Sequence, residues 1–196
     1  MKRSLLLLLG LTLLNGLTMA ELSAAEPAYT ARVIKVVDGD TLWVQKGKQT
    51  QRIRLAGIDA PELRQKYGEH ARQSLSEMCL DQSAHIQPRT LGRRHPQPNL
   101  TLAAVRCHGQ DVALSQLRHG MAWWSRQQAR FQPAAEAQAF EIAESKAQFE
   151  SLGLWGDESP LAPWEWRSQH PEATKAPVKP GKNAKIKGKV KKRLQP

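Results

Sequence analysis

Between residues 31 and 55, three segments rich in β-branched side chains follow one another with only a few residues between them: ARVIKVV (31–37), TLWVQ (41–45) and TQRIRL (50–55). Each reads as a strand, and DGD (38–40) and KGK (46–48) are turn sequences that join strands. Within the third segment Ile53 and Leu55 share one face while Arg52 and Arg54 share the other, because side chains alternate along a strand. The first turn is unusual for its surroundings. It sets Asp38 and Asp40 on either side of one glycine, in a 196-residue chain whose formal net charge is +11.

Downstream, Ala60-Pro61-Glu62 reads as loop, since Pro61 holds the residue before it extended. EHARQSLSEMCL (69–80) has the spacing of a helix with Ala71, Leu75 and Met78 as its apolar stripe. SAHIQP (83–88) and LTLAAVRC (100–107) read as strands flanking a Pro-rich basic loop, and HGQD (108–111) as a turn. VALSQLRHG gives a short helix stopped at Gly120. A long helix follows Pro133, with Phe140, Ala143 and Ala147 spaced three and four apart, and ends near LGLW (152–155). Three strands, a helix, two strands and two helices is the order of a five-stranded OB barrel, mainly β with α.

The two ends differ from this middle. Residues 1–25 begin with Lys2 and Arg3 and continue into a Leu-rich run of about 13 residues, the form of a secretory signal. An uncleaved anchor is the other reading, although the run is shorter than the roughly 20 residues a membrane span needs. Residues 171–196 hold nine Lys or Arg against one Glu, with Pro and Gly and no apolar period, so they are expected to be a disordered basic tail. Most of the net charge therefore lies in that tail, where it suits salt-sensitive contact with nucleic acid, contact with an anionic cell surface, or solubility. Residues 26–170 remain as one domain. Export implies a periplasmic or secreted protein, in which Cys79 and Cys107 suit a disulfide; two buried thiols are the alternative. The six His show no metal-ligand spacing beside these cysteines, so zinc is not indicated.

Chemistry concentrates between residues 38 and 62, where Asp38, Asp40, Asp59 and Glu62 accompany Arg54. Carboxylate oxygens without nearby His or Cys favour Ca²⁺ or Mg²⁺ over transition metals. A hard cation, a free carboxylate and an arginine form a workable set for phosphodiester hydrolysis. Read alone, the same letters also suit a plain strand turn followed by a solvated arginine.

VVDGDT (36–41) followed by RLAGIDAPE (54–62) resembles the paired signature of the staphylococcal nuclease (thermonuclease) family. The similarity continues through Tyr67-Gly68, LTLAAV, GMAW (120–123), ESKAQFESLGLW (144–155) and APWEWR (162–167), spanning residues 31–167 with gaps near 84–99. It implies the OB barrel with three helices. It also implies that Asp40, Asp59 and the backbone carbonyl of Ala60 are Ca²⁺ ligands, with Mg²⁺ or Mn²⁺ as lesser candidates. By the same resemblance Glu62 is the general base or water-orienting group, and Arg54 the first of two phosphate-gripping arginines. Asp38 becomes a supporting group or turn former.

One departure matters. The family's second arginine sits in a YGR segment where this chain has Pro98-Asn99-Leu100, so Leu100 stands at that position. Arg93 and Arg94 lie just upstream, and the alternatives are a loop arginine folding back into the site or two ordinary exposed ones. Trp155, Trp164 and Trp166 are expected to cover helix packing, whereas Trp123 and Trp124 stand open between packing and base stacking. The expected function is an exported Ca²⁺-dependent nuclease, monomeric, acting on DNA and RNA with no small-molecule cofactor and no retained membrane span. The rival is a nucleic-acid-binding module of the same fold with weak or no catalysis because of Leu100. A structural envelope protein is a third and more distant reading.

Overall fold

Tyr29–Val36 alternates buried Ala31 and Val33 with exposed Thr30 and Arg32, then slips by one residue, leaving Ile34 and Lys35 outward and Val36 inward. The slip is a bulge against the next strand, and it bends β1 (Tyr29–Val36) so that the sheet can curl. β2 (Thr41–Lys46) turns Leu42 and Val44 inward, and β3 (Gln49–Leu55) turns Ile53 and Leu55 inward with Arg52 and Arg54 on the opposite face. This is the division of faces expected from the sequence. The computed structural model describes residues 26–90 and 100–172. The expected signal segment (1–25), the loop carrying Arg93 and Arg94, and all but the first two residues of the tail (171–196) lie outside the described residues.

After the two-residue β4 (Ile58–Asp59) comes α1 (Gly68–Cys79), then β5 (Ser83–Pro88) and β6 (Leu100–Cys107). β1 pairs antiparallel with β2 and β5, β2 with β3, and β5 with β6, while β3 and β6 pair in parallel. The last pairing closes a five-stranded barrel, the OB arrangement expected, with β7 (Gln110–Asp111) as a short addition on β6. Its interior is apolar: Val33, Leu42, Val44, Ile53, Leu55, Ile86 and Val105 are almost wholly removed from water. Each such side chain contributes about 1.5–3 kcal/mol over its exposed state.

α2 (Val112–Arg118), β8 (Trp123–Trp124), α3 (Arg126–Ala129), α4 (Ala134–Phe149) and α5 (Pro163–Gln169) complete the order, with a 3₁₀ turn at Gly153–Gly156. α1, α2 and α4 are the three helices expected; α3 and α5 are short additions. α4 buries Phe140, Ala143 and Ala147 as its spacing requires. α1 buries Ala71, Leu75 and Cys79, while Met78, expected on that stripe, is only partly covered. Cys79 takes the place because it is joined to Cys107 at the end of β6, with Cα atoms 5.5 Å apart, and this bond ties α1 to the barrel. LGLW is fixed by backbone contact, the Leu154 N–H donating to the Gly120 carbonyl at 2.9 Å. Gly120 has φ 64° and no room for a Cβ against Leu152. Among the described residues no helix is long and apolar enough to cross a membrane.

Candidate active site

The DGD turn is built locally. Asp38 Oδ1 accepts from the Asp40 N–H at 3.1 Å, an Asx turn that reverses the chain between β1 and β2. Gly39 is required by close approach: a Cβ there would collide with the Cβ atoms of Ala71 on α1 and Ala60 beyond β4. The Gly39 carbonyl is held from below by Gln116 of α2, whose Nε2 donates to it at 2.8 Å and to the Ala71 carbonyl at 2.9 Å. Gln116 is fully buried and its own oxygen accepts from the Ser74 hydroxyl. One amide thus joins the turn, α1 and α2.

Asp40 is buried. Its Oδ1 accepts from the Thr41 hydroxyl at 2.7 Å, and its Oδ2 from the Ala60 N–H at 3.1 Å. The β2–β3 register places Thr41 directly across from Arg54, which brings that guanidinium alongside. Arg54 Nη2 donates to Asp40 Oδ2 at 3.3 Å and to Asp59 Oδ1 at 2.7 Å. Burial works to raise the Asp40 carboxyl, but Arg54, the Thr41 hydroxyl and the Ala60 N–H together bring it below the ordinary carboxylate value. Asp38 makes no ion pair among the described residues. Burial, and next the Asp40 charge, push its carboxyl up to about 8. The Arg54 guanidinium is held more firmly protonated by Asp40, then by Asp59.

Asp59 lies on β4, which pairs with β8 so that Asp59 sits opposite Trp123 and Ile58 opposite Trp124. Both tryptophans are buried. Trp124 is fixed by its N–H on Glu144 Oε1 at 2.8 Å, its ring N–H on Gln132 and the Arg126 guanidinium over its ring at 3.8 Å. Their role is to set the strand under Asp59, which answers the open choice between packing and stacking in favour of packing. Trp166 is buried as expected, whereas Trp164 is largely exposed at the edge of Trp123.

Glu62 stands three residues further on, in a loop closed by Gln65, whose side-chain oxygen accepts from the Glu62 N–H and whose amide donates to the Leu161 carbonyl. Its partner is a residue the sequence reading assigned no role. Arg167, from α5, donates through Nη1 to Glu62 Oε1 at 2.9 Å and Asp59 Oδ1 at 3.1 Å, and through Nη2 to Asp59 Oδ2 at 2.6 Å. These hydrogen bonds, first of all those to Asp59, hold its guanidinium still more firmly protonated than usual. The only local signal was the APWEWR motif itself, since nothing in a single arginine of a Trp-rich helix specifies a partner about a hundred residues earlier.

The structure therefore brings Asp40, Arg54, Asp59, Ala60 and Glu62 together. Leu100 lies on β6 beside Arg52 of β3. Cys79 and Cys107 lie elsewhere and act on the scaffold alone. Arg54 Nε is buried without a hydrogen-bond partner among the described residues, as are the Nε atoms of Arg52 and Arg89. Among those residues no group of three or more His, Cys, Asp or Glu is placed to hold a metal ion. A cation here would rest on the Asp40 and Asp59 carboxylates with carbonyl and water oxygens completing the set, a donor mixture that suits a hard cation.

The chain resembles known proteins over most of its length. The family model for staphylococcal nuclease homologues matches residues 52–157. A micrococcal nuclease of Shigella flexneri is 32% identical over 151 residues, covering 74% of this chain and 84% of the relative. Protein ParB of Escherichia coli is 35% identical over 161 residues, covering 77% and 88%. An uncharacterized endonuclease of Haemophilus influenzae is 34% identical over 141 residues, covering 71% and 74%.

Proposed function

The chain belongs to the staphylococcal nuclease homologue family and is a nuclease; we propose that it is an exported, calcium-dependent one that hydrolyses the phosphodiester bonds of DNA and RNA with little sequence preference. The observation that carries this reading is the single Arg54 guanidinium joining Asp40 and Asp59, with Glu62 alongside. Asp40, Asp59 and the Ala60 carbonyl would hold the cation, which supplies charge neutralisation at the scissile phosphate when bound.

The protein's own groups account for the remaining steps. Glu62 takes a proton from water, and the water oxygen attacks phosphorus. The bond from phosphorus to the leaving ester oxygen breaks, and that oxygen is protonated from solvent. Arg54, whose side chain is partly open to water, donates to the phosphate oxygens as negative charge builds on them. Export is supported by the Lys2-Arg3 start with its Leu-rich run, and by a disulfide that suits an oxidising compartment.

The test compares the full mature protein with its Glu62→Gln and Arg54→Ala variants on single- and double-stranded DNA and on RNA, in Ca²⁺, Mg²⁺ or chelator. Calcium-dependent cleavage lost in both variants is the expected result. Binding without cleavage in the wild type would favour the binding module, for which Leu100 beside Arg52 is the supporting observation. Equal residual cleavage in all three proteins would remove these residues from the reaction.

A further inference from the structure

Arg167 is the strongest feature of the site that the reaction above leaves unused. Three facts describe it. It and Arg54 donate to the same atom, Asp59 Oδ1, so the two guanidinium groups lie within the span of one carboxylate or phosphate group. Their side chains are exposed to nearly the same degree, 28% and 29%, as is Glu62 at 33%, so all three open to water where substrate would arrive. Arg167 also leaves Glu62 Oε2 without a hydrogen bond among the described residues, free to meet a water molecule.

The helix that carries Arg167 is anchored. Pro163 starts α5 at a position where a missing N–H costs nothing, and Ala162 packs with Trp123 and Leu154. Trp166 is buried and stacks on His170 with ring centres 4.4 Å apart. Gln65 grips the Leu161 carbonyl just before the helix, so the loop that positions Glu62 also positions Arg167. A planar guanidinium in such a place offers two parallel donors to a phosphate. Arg52, the other half-buried arginine on this face, is placed differently. It neighbours Trp43 and Leu100 across the strands and makes no ion pair among the described residues.

We infer that Arg167 is the second phosphate-gripping cation of this site, supplied from the C-terminal helix and converging with Arg54 on the phosphate beside Glu62. Before substrate arrives its charge rests on Asp59 and Glu62; a phosphodiester at the site gives it an acceptor of its own. The inference rests on the phosphodiesterase reading.

The experiment uses the full mature protein with a fluorescent single-stranded oligonucleotide. It measures kcat and KM for wild type, Arg167→Ala, Arg167→Lys, Arg52→Ala, Arg54→Ala and Glu62→Gln. Binding of the same oligonucleotide is followed by anisotropy in Glu62→Gln with and without Arg167→Ala. Arg167→Ala should lower kcat by roughly 10²- to 10³-fold. Arg167→Lys should recover part of that loss, because the charge returns without the fork. In the Glu62→Gln background, Arg167→Ala should weaken oligonucleotide binding by roughly tenfold. Arg52→Ala should turn over as the wild type does. If Arg167→Ala fails to fold, judged by circular dichroism, the Lys variant and its kcat decide. Wild-type or faster turnover in a folded Arg167 variant, with Glu62→Gln and Arg54→Ala inactive, overturns this inference alone. A rate loss that follows Arg52 instead does the same. Undiminished turnover in Glu62→Gln overturns the reading beneath it.

Discussion

The two carboxylate arms of the site are held in different ways. Asp40 sits on a turn whose bonds come mainly from neighbours in the chain: Asp38 closes the turn and Thr41 binds one oxygen, while the Ala60 N–H helps bind the other. Gln116 and the close contact of Gly39 with Ala71 then lock the turn against two helices. Asp59 rests on a strand of only two residues, and the side-chain partners of its oxygens are arginines, from β3 and from α5. The first arm is placed by folding and the second by charge. Bonds from the neutral donors of a packed turn respond little to salt, whereas guanidinium contacts at a partly open surface are screened by salt and can be exchanged for another anion. The second arm is therefore the responsive one.

The contrast can be broken most severely at Arg54, the one residue shared by both arms. Arg54→Ala should cost roughly 10²- to 10³-fold in turnover, as expected for loss of a charged transition-state donor. It should also cost about 2–4 kcal/mol of stability, below the figure for a fully buried pair because Arg54 is 28% exposed. Rate assays and urea unfolding check both, and unchanged stability would show that Asp40 needs no cation.

Removing the disulfide with Cys79→Ser and Cys107→Ser should lower stability by about 2–4 kcal/mol while leaving kcat near wild type in the folded fraction. That bond closes a separation of 28 residues and touches neither arm. A large fall in kcat would mean that the helix carrying Ala71 positions the turn through the bridge.

Gln116→Ala sharpens the comparison from the side of the turn. It leaves the buried Gly39 carbonyl without its donor, takes a second bond from the Ala71 carbonyl, and should cost about 1–3 kcal/mol. The cost should be the same at low and high salt, whereas oligonucleotide binding should weaken with added salt. Equal salt sensitivity in both measurements would erase the distinction between the arms.

The smallest effect belongs to Arg32→Ala. Its ion pair with Asp81 is open to water on both sides and should be worth under about 1 kcal/mol in a thermal melt.

Legibility from the sequence follows the same division. The barrel strands could be read because each turns alternate side chains inward, and β5 and β6 appear over the residues their letters mark. The DGDT turn and the RLAGIDAPE loop could be read because ligand-type residues cluster within a few positions and β2 and β3 are adjacent in the chain. β4 and β8 could not, since two residues carry no period, and the pairing of Asp59 with Trp123 is made by distant parts of the fold. Spacing alone points to Met78 for the inner stripe of α1; the bond to Cys107 draws Cys79 there instead.

By itself the sequence determined the barrel, the helices that cover it and the local group Asp38, Asp40, Arg54, Asp59 and Glu62. Periodicity and short-range register are written in consecutive letters. Only the tertiary structure decided which second arginine reaches the carboxylates. The sequence showed a leucine at position 100 and two loop arginines nearby, while the structure brings Arg167 onto Asp59 and Glu62 from more than a hundred residues away. Charge–charge contact depends on distance in space, and only packing of α5 on Trp123, Leu154 and Gln65 sets that distance.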